Sequence, residues 1–199
     1  MLDPPGLDDG RADRRGLGVG GPSLRPSPRR RPIVLALILA AATTLAVVGA
    51  VALTRPGGSL IGNPAPDIVG TTLDGTPFRL ADLRGRPVIV NFWGPTCVPC
   101  RDEFPLFKSK LTDHAADGLV VVGVLMADPP DLARTFIAEE GATWQTVDDP
   151  EGAIKGAYRV AARPQTYFID REGILRSIQI GEVRSVDFER HYGLISGGS

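Results

Sequence analysis

Cysteine is scarce in this sequence: 199 residues hold only two, Cys97 and Cys100. That excludes a small fold stapled by disulfides, and the chain is long enough to bury a core without staples. Histidine is equally scarce, with only His114 and His191 present. A zinc site wants about four ligands, and neither histidine stands at ligand spacing from the cysteines, so no metal or other cofactor is expected. Both histidines are expected at the surface. Basic charge is missing where a nucleic acid would need it. From Pro56 onward 14 basic residues face 19 acidic ones, a net charge of −5 without a Lys/Arg stripe. No nucleic-acid partner is expected from such a domain. There is no internal repeat, and the length suits one globular domain with appendages.

The appendages are at the front. Residues 1–32 are rich in Gly, Pro, Arg and Asp and have almost nothing apolar to bury, which predicts a disordered tail. Residues 33–54 carry no charge and no proline. As a helix that run would extend about 33 Å, enough to cross a hydrocarbon layer of about 30 Å. Arg29-Arg30-Arg31 precedes it and only Arg55 follows, so the positive-inside bias puts the tail in the cytoplasm and everything after Pro56 outside. A cleaved leader ending near Ala50-Val51-Ala52 is the competing reading; the length of the apolar run favours an uncleaved signal anchor. The expected organisation is a cytoplasmic tail at 1–32, a transmembrane helix at 33–54, a linker at 55–62 and an extracytoplasmic domain at 63–195. The chain would thus be a single-pass protein of the cell membrane.

Within the domain, strands at 68–72 and 77–80 flank Asp74-Gly75, a hairpin signal. The apolar, β-branched runs at 87–93 and 119–126 predict buried strands. Helices are predicted from about 97 to 111, at 132–140 and at 151–158. A short strand at 144–147, a pair at 166–169 and 174–180, and a closing helix at 186–192 complete the pattern. Strands alternating with helices, followed by a hairpin, indicate an α/β sandwich with a mixed sheet.

Cys97-Val98-Pro99-Cys100 opens the first of these helices. A disulfide exchanger needs one exposed thiol that ionises near neutral pH and a second thiol close enough to resolve the mixed disulfide. At a helix N-terminus the free N–H groups and the macrodipole favour an anion on Cys97. Pro99 is tolerated in the first turn, where its missing N–H has no helical partner. Cys100, Phe104, Phe107 and Leu111 recur at helical spacing and form one apolar stripe, so Cys100 turns toward the core. Glu103, next to that stripe, is the candidate acid/base partner of Cys100. A solvated glutamate like Asp102 is the bland alternative.

Several stretches carry a resemblance: residues 62–67 (Gly-Asn-Pro-Ala-Pro-Asp), 82–87 (Asp-Leu-Arg-Gly-Arg-Pro), Asn91-Phe92-Trp93, Cys97 through Pro105, and 164–170 (Pro-Gln-Thr-Tyr-Phe-Ile-Asp). In this order the chain from about Gly62 to Tyr192 resembles the membrane-anchored thioredoxin-like proteins of the TlpA/ResA type, including those serving cytochrome c maturation. The resemblance implies a thioredoxin-like fold and a redox-active cysteine pair. It implies a cis-proline at Pro164 facing that pair, an acidic residue at Glu103 beneath it, and Asn91 where ordinary thioredoxins carry a buried aspartate. Residues 128–149 look like the family's helix-and-strand insert. Pro164, with Arg163, Trp93, Thr96 and Pro99, would then form the surface that receives a partner. The implied partners are protein disulfides or thiols, apocytochrome c among them, and a membrane thiol carrier as electron donor.

Two positions depart from the family's pattern. Thr96 stands where most relatives have tryptophan, and Arg163 where they usually have an apolar residue or Thr. A cation at Arg163 is expected to favour the Cys97 thiolate and attract acidic partners. Two other functions compete with disulfide exchange. A peroxidase of the redoxin class would want Thr or Ser three residues before the nucleophile, where this chain has Gly94. A Cu(I) chaperone would need only the two thiols.

Overall fold

The computed structural model describes Ile38, Ala41 and residues 58–197. The expected tail and membrane span lie outside the described residues, apart from Ile38 and Ala41, which are helical. The chain divides at Pro56 into two units, and the second holds the sheet.

The sheet is built from the apolar runs read above. Strand β3 (Val88–Trp93) is buried along its whole length and lies at the centre of a five-stranded sheet. It pairs in parallel with β4 (Val120–Leu125), which pairs in parallel with β5 (Thr146–Asp148). On its other side β3 pairs antiparallel with β6 (Gln165–Ile169), and β6 with β7 (Leu175–Ile180). The spatial order is β5-β4-β3-β6-β7, a mixed sheet as expected. A separate two-stranded hairpin, β1 (Val69–Thr71) and β2 (Pro77–Arg79), turns through Gly75 at φ 86°. The sequence pattern extended the second strand to residue 80, but a 3-10 turn begins there, at Leu80–Leu83.

Side chains alternate across β3. Ile89 and Trp93 enter one core with Cys100, Phe104, Phe107, Phe136 and Phe188; Val88, Val90 and Phe92 enter the other with Tyr158 and Tyr167. Period-two alternation therefore sends Asn91 to the same face as Trp93. That is the face covered by the helix carrying the cysteines.

The helix predicted from about 97 to 111 is in fact two, α1 (Val98–Asp102) and α2 (Phe104–Asp113), with Glu103 between them. Pro105 is the physical reason: it has no N–H for the carbonyl four residues back, and its ring crowds that carbonyl. Helix α3 (Pro130–Glu140) ends at Gly141, whose φ of 64° makes a left-handed cap. Helices α4 (Ala153–Tyr158) and α5 (Ser185–Ser196) complete the domain. Trp144 lies ahead of β5 rather than in it. It turns into the core against Phe104, with ring centroids 4.9 Å apart. The histidines are not the surface residues expected. His191 is buried and stacks on Phe168 at 4.6 Å, and His114 packs against Tyr192 at 3.8 Å, so both belong to the seam under α5.

Candidate active site

Strand β3 ends at Trp93, and Gly94-Pro95-Thr96 leads to Cys97, the N-cap of α1. Cys97 has extended backbone angles, and its carbonyl accepts the N–H of Cys100 at 3.1 Å and of Arg101 at 3.2 Å. Pro99 sits inside the first turn, where its missing donor goes unnoticed. A disulfide joins Cys97 to Cys100. Cys97 is partly exposed, and Val98 and Pro99 are exposed beside it, while Cys100 is fully buried. The helical stripe thus separates the two sulfurs: one can be approached by a partner and the other cannot.

Glu103 is fully buried, unlike exposed Asp102. Its Oε1 accepts the backbone N–H of Val183 at 2.7 Å, and its Oε2 accepts Asn91 Nδ2 at 3.2 Å. Asn91 Nδ2 also donates to Thr166 Oγ1 at 2.9 Å. Burial pushes the Glu103 carboxyl up to about 8, against the opposing pull of the two hydrogen bonds, with a small further rise from Glu182. A carboxyl of that pKa exchanges its proton near neutrality, which suits acid/base work next to a thiol.

The Arg163–Pro164 peptide bond is cis, and the Pro164 carbonyl accepts the N–H of Gly181 at 2.9 Å. Arg163 does not stand free as the sequence suggested. Its Nη1 lies 3.0 Å from Asp128 Oδ2 and also donates to the Met126 carbonyl, and its Nη2 donates to Thr96 Oγ1 at 3.0 Å. A guanidinium neutralised by a buried carboxylate gives Cys97 little net positive field and offers acidic partners little attraction. Trp93 also departs from expectation. It has no exposed surface and packs against Phe104 at 4.7 Å and Phe136 at 5.7 Å, so it supports the site from below instead of contacting a partner.

The structure therefore gathers Cys97, Pro99 and Cys100 at the start of α1, sets Glu103 at its end, and links Thr96 to Arg163. Sequence reasoning missed Asp128, Thr166 and the Val183 amide. No spacing rule ties them to the cysteines; only the place of Asp128 just past the carboxyl end of a buried strand gave a hint, since sites in open α/β folds gather at such strand ends.

Comparison with known proteins agrees with this geometry. Residues 61–178 match the AhpC/TSA family. The chain is 34% identical over 131 residues to the thiol-disulfide oxidoreductase ResA of Geobacillus kaustophilus, covering 66% of this chain and 75% of that protein. It is 31% identical over 161 residues to the ResA of Geobacillus thermodenitrificans, covering 81% of this chain and 91% of that one. Among solved structures, a putative thiol:disulfide interchange protein DsbE from Chlorobium tepidum superposes with a TM-score of 0.64 at 29% identity, over 69% of this chain and 98% of that one. With a cysteine pair set at a helix start and a buried glutamate three residues after it, the chain belongs to the AhpC/TSA family and, within it, to the thioredoxin-like thiol–disulfide oxidoreductases of the ResA/TlpA type.

Proposed function

We propose that this oxidoreductase is a reductant of protein disulfides working outside the cytoplasm, and that Cys97 is its nucleophile. The observation that carries the reading is the unequal exposure of the bonded sulfurs, Cys97 partly open at the N-cap of α1 and Cys100 fully buried. In the dithiol form the Cys97 thiolate attacks one sulfur of a partner's disulfide. A mixed disulfide forms, and the partner's other sulfur leaves as a thiolate that takes up a proton. The Glu103 carboxylate then accepts the proton of Cys100, whose thiolate attacks the Cys97 sulfur. The partner's second thiolate departs and is protonated. Two electrons have passed from the cysteine pair to the partner, and the Cys97–Cys100 disulfide remains. An external dithiol, on this reading a membrane thiol carrier, reduces it again. Thr96 and Pro99, both exposed, border the surface where the partner docks, and Pro164, buried next to Arg163, shapes that surface from behind.

The uncharged run at 33–54 and the arginines before it support a single-pass anchor with residues 1–32 in the cytoplasm and the catalytic domain outside. The named relatives support thiol substrates in proteins, and the resemblance to a family that includes proteins serving cytochrome c maturation adds apocytochrome c to the proposed substrates.

Equilibrating the purified protein with defined thiol buffers and measuring the fraction bridged tests the direction. A potential below about −200 mV supports a reductant, and one near −120 mV makes the protein an oxidant instead. Peroxide turnover faster than protein disulfide reduction would move the assignment to the peroxidase reading.

A further inference from the structure

Between the disulfide and the cis-proline lies a bonded unit that the exchange steps leave unused. Asp128 follows β4 through Ala127, which has the left-handed φ of 57° that side-chain-bearing residues rarely adopt. Its carboxylate, with 6% of the side chain exposed, accepts the Thr96 N–H at 3.1 Å and the Thr96 hydroxyl at 2.8 Å. Arg163 grips the same carboxylate through Nη1 at 3.0 Å and Nη2 at 3.3 Å. Thr96 Oγ1 closes the triangle by accepting Arg163 Nη2 at 3.0 Å. Burial pushes the Asp128 carboxyl up, but the bonds from Thr96 and Arg163 outweigh it and hold it below its ordinary value, so it is ionised.

The placement in the chain is what gives this triangle meaning. Thr96 immediately precedes Cys97, and Arg163 immediately precedes Pro164. One carboxylate from a third segment thus holds both turns that border the docking surface. The pair also fills room that a side chain would need. A Cβ on Gly94 would lie 2.3 Å from Arg163 Nη1 and 2.4 Å from Asp128 Oδ2.

We propose that Thr96, Asp128 and Arg163 form a clasp that sets the spacing between the Cys97 turn and the Pro164 turn, with Asp128 its central positioning residue. The clasp selects for partners that must lie across both turns, namely extended protein segments, and it touches no sulfur itself. This rests on the exchange reading above, in which a protein segment docks across Cys97 and Pro164. The physical reason is geometric: a partner sulfur held by a docked backbone must arrive in line with Cys97, and misplacement by about 1 Å lowers such rates on the order of 100-fold. A small disulfide that reaches Cys97 from solvent carries no such constraint.

The test compares two substrates on the full-length protein in detergent: insulin, and the small aromatic disulfide 5,5′-dithiobis(2-nitrobenzoate). Asp128→Asn is expected to lower kcat/KM for insulin at least tenfold and the small-disulfide rate less than twofold. Gly94→Ala is expected to show the same split, because its methyl group displaces the pair. A charge-conserving change supplies a second arm: Asp128→Glu is expected to recover most of the insulin rate that Asp128→Asn loses, and the retained small-disulfide rate reports that each variant is folded. Equal losses on both substrates, or no loss on either, overturn the clasp while leaving disulfide exchange standing. Unmodified protein that leaves insulin oxidised overturns the exchange reading, and the clasp with it.

Discussion

Val183, in the turn between β7 and α5, donates its backbone N–H to Glu103 Oε1 over 2.7 Å, although the two residues are 80 positions apart. This bond and the one from Asn91 stabilise a charged carboxylate, yet burial prevails and the Glu103 carboxyl is pushed up to about 8. The closing turn of the domain is therefore tied to the buried acid three residues after Cys100, and the protonation of that acid bears on the stability of the whole fold.

The sign of that effect can be read on a pH series. Unfolded, Glu103 titrates near 4.5; folded, near 8. Between those values the folded protein holds a proton that the unfolded chain has released, so its stabilising contribution is whole below 4.5 and is lost as the pH climbs toward 8. From this group alone the bridged protein should lose on the order of 4 kcal/mol across the window. Glu103→Gln cannot titrate, so its stability by urea denaturation at pH 5, 6.5 and 8 should run flatter by that amount. Parallel curves for the two proteins would show that the carboxyl titrates normally.

Asn91→Asp puts a second carboxyl in the same pocket, since Asn91 is 2% exposed and 3.2 Å from Glu103 Oε2. Two carboxylates so close cannot both ionise, and one must stay protonated. Thermal denaturation is expected to show little change at pH 5 and a loss of about 3 kcal/mol or more at pH 8. A uniform loss at both pH values would mean that shape, not charge, was disturbed.

The two cysteines should differ in what they trap. Cys100→Ser leaves the partly exposed Cys97, the proposed nucleophile, without the thiol proposed to resolve it, so a mixed disulfide with insulin should accumulate on non-reducing gels. Cys97→Ser leaves only a buried thiol and should trap none. In the native pair, Glu103→Gln should slow release of the partner on the order of 100-fold at pH 7, the usual worth of a positioned general base. Trapping through the Cys97→Ser variant would reverse the assigned roles.

Gly123 in β4 provides a check on the core. A methyl group there would come within 2.5 Å of Thr146 Oγ1 and 2.7 Å of Trp93 Nε1, both of which are buried without a hydrogen-bond partner. Gly123→Ala is expected to destabilise the fold by about 1–3 kcal/mol. Because the indole must move, the tryptophan emission should shift as well. Unchanged stability together with unchanged emission would show that the sheet has room to spare at this point.

Much of the fold was legible because it rests on local patterns. The β-branched runs that became β3 and β4 needed no long-range information, nor did the Asp74-Gly75 turn. The stripe of Cys100, Phe104 and Phe107 was equally plain, and it implied an inward Cys100. Local reading failed where one residue interrupted a strong pattern. Pro105 split the cysteine-bearing helix, and Trp144 took a place in the core instead of in β5. At the site, resemblance to known proteins supplied Asn91 and Pro164, which spacing alone could not connect to the cysteines.

What the sequence determined by itself is the chemistry: two sulfurs one helical turn apart at a helix start, one outward and one inward, with a glutamate three residues on. Neighbours in the chain set such features, so they can be read in the chain. What the sequence could not decide is the company those groups keep. Arg163 reads as a free cation until the fold brings it against Asp128, 35 residues away, and Trp93 reads as part of a docking surface until Phe104 and Phe136 close over it. Glu103 owes its altered proton affinity to the layers that exclude water from it. Burial and ion pairing come from segments distant in sequence meeting in space, and only the folded chain holds them together.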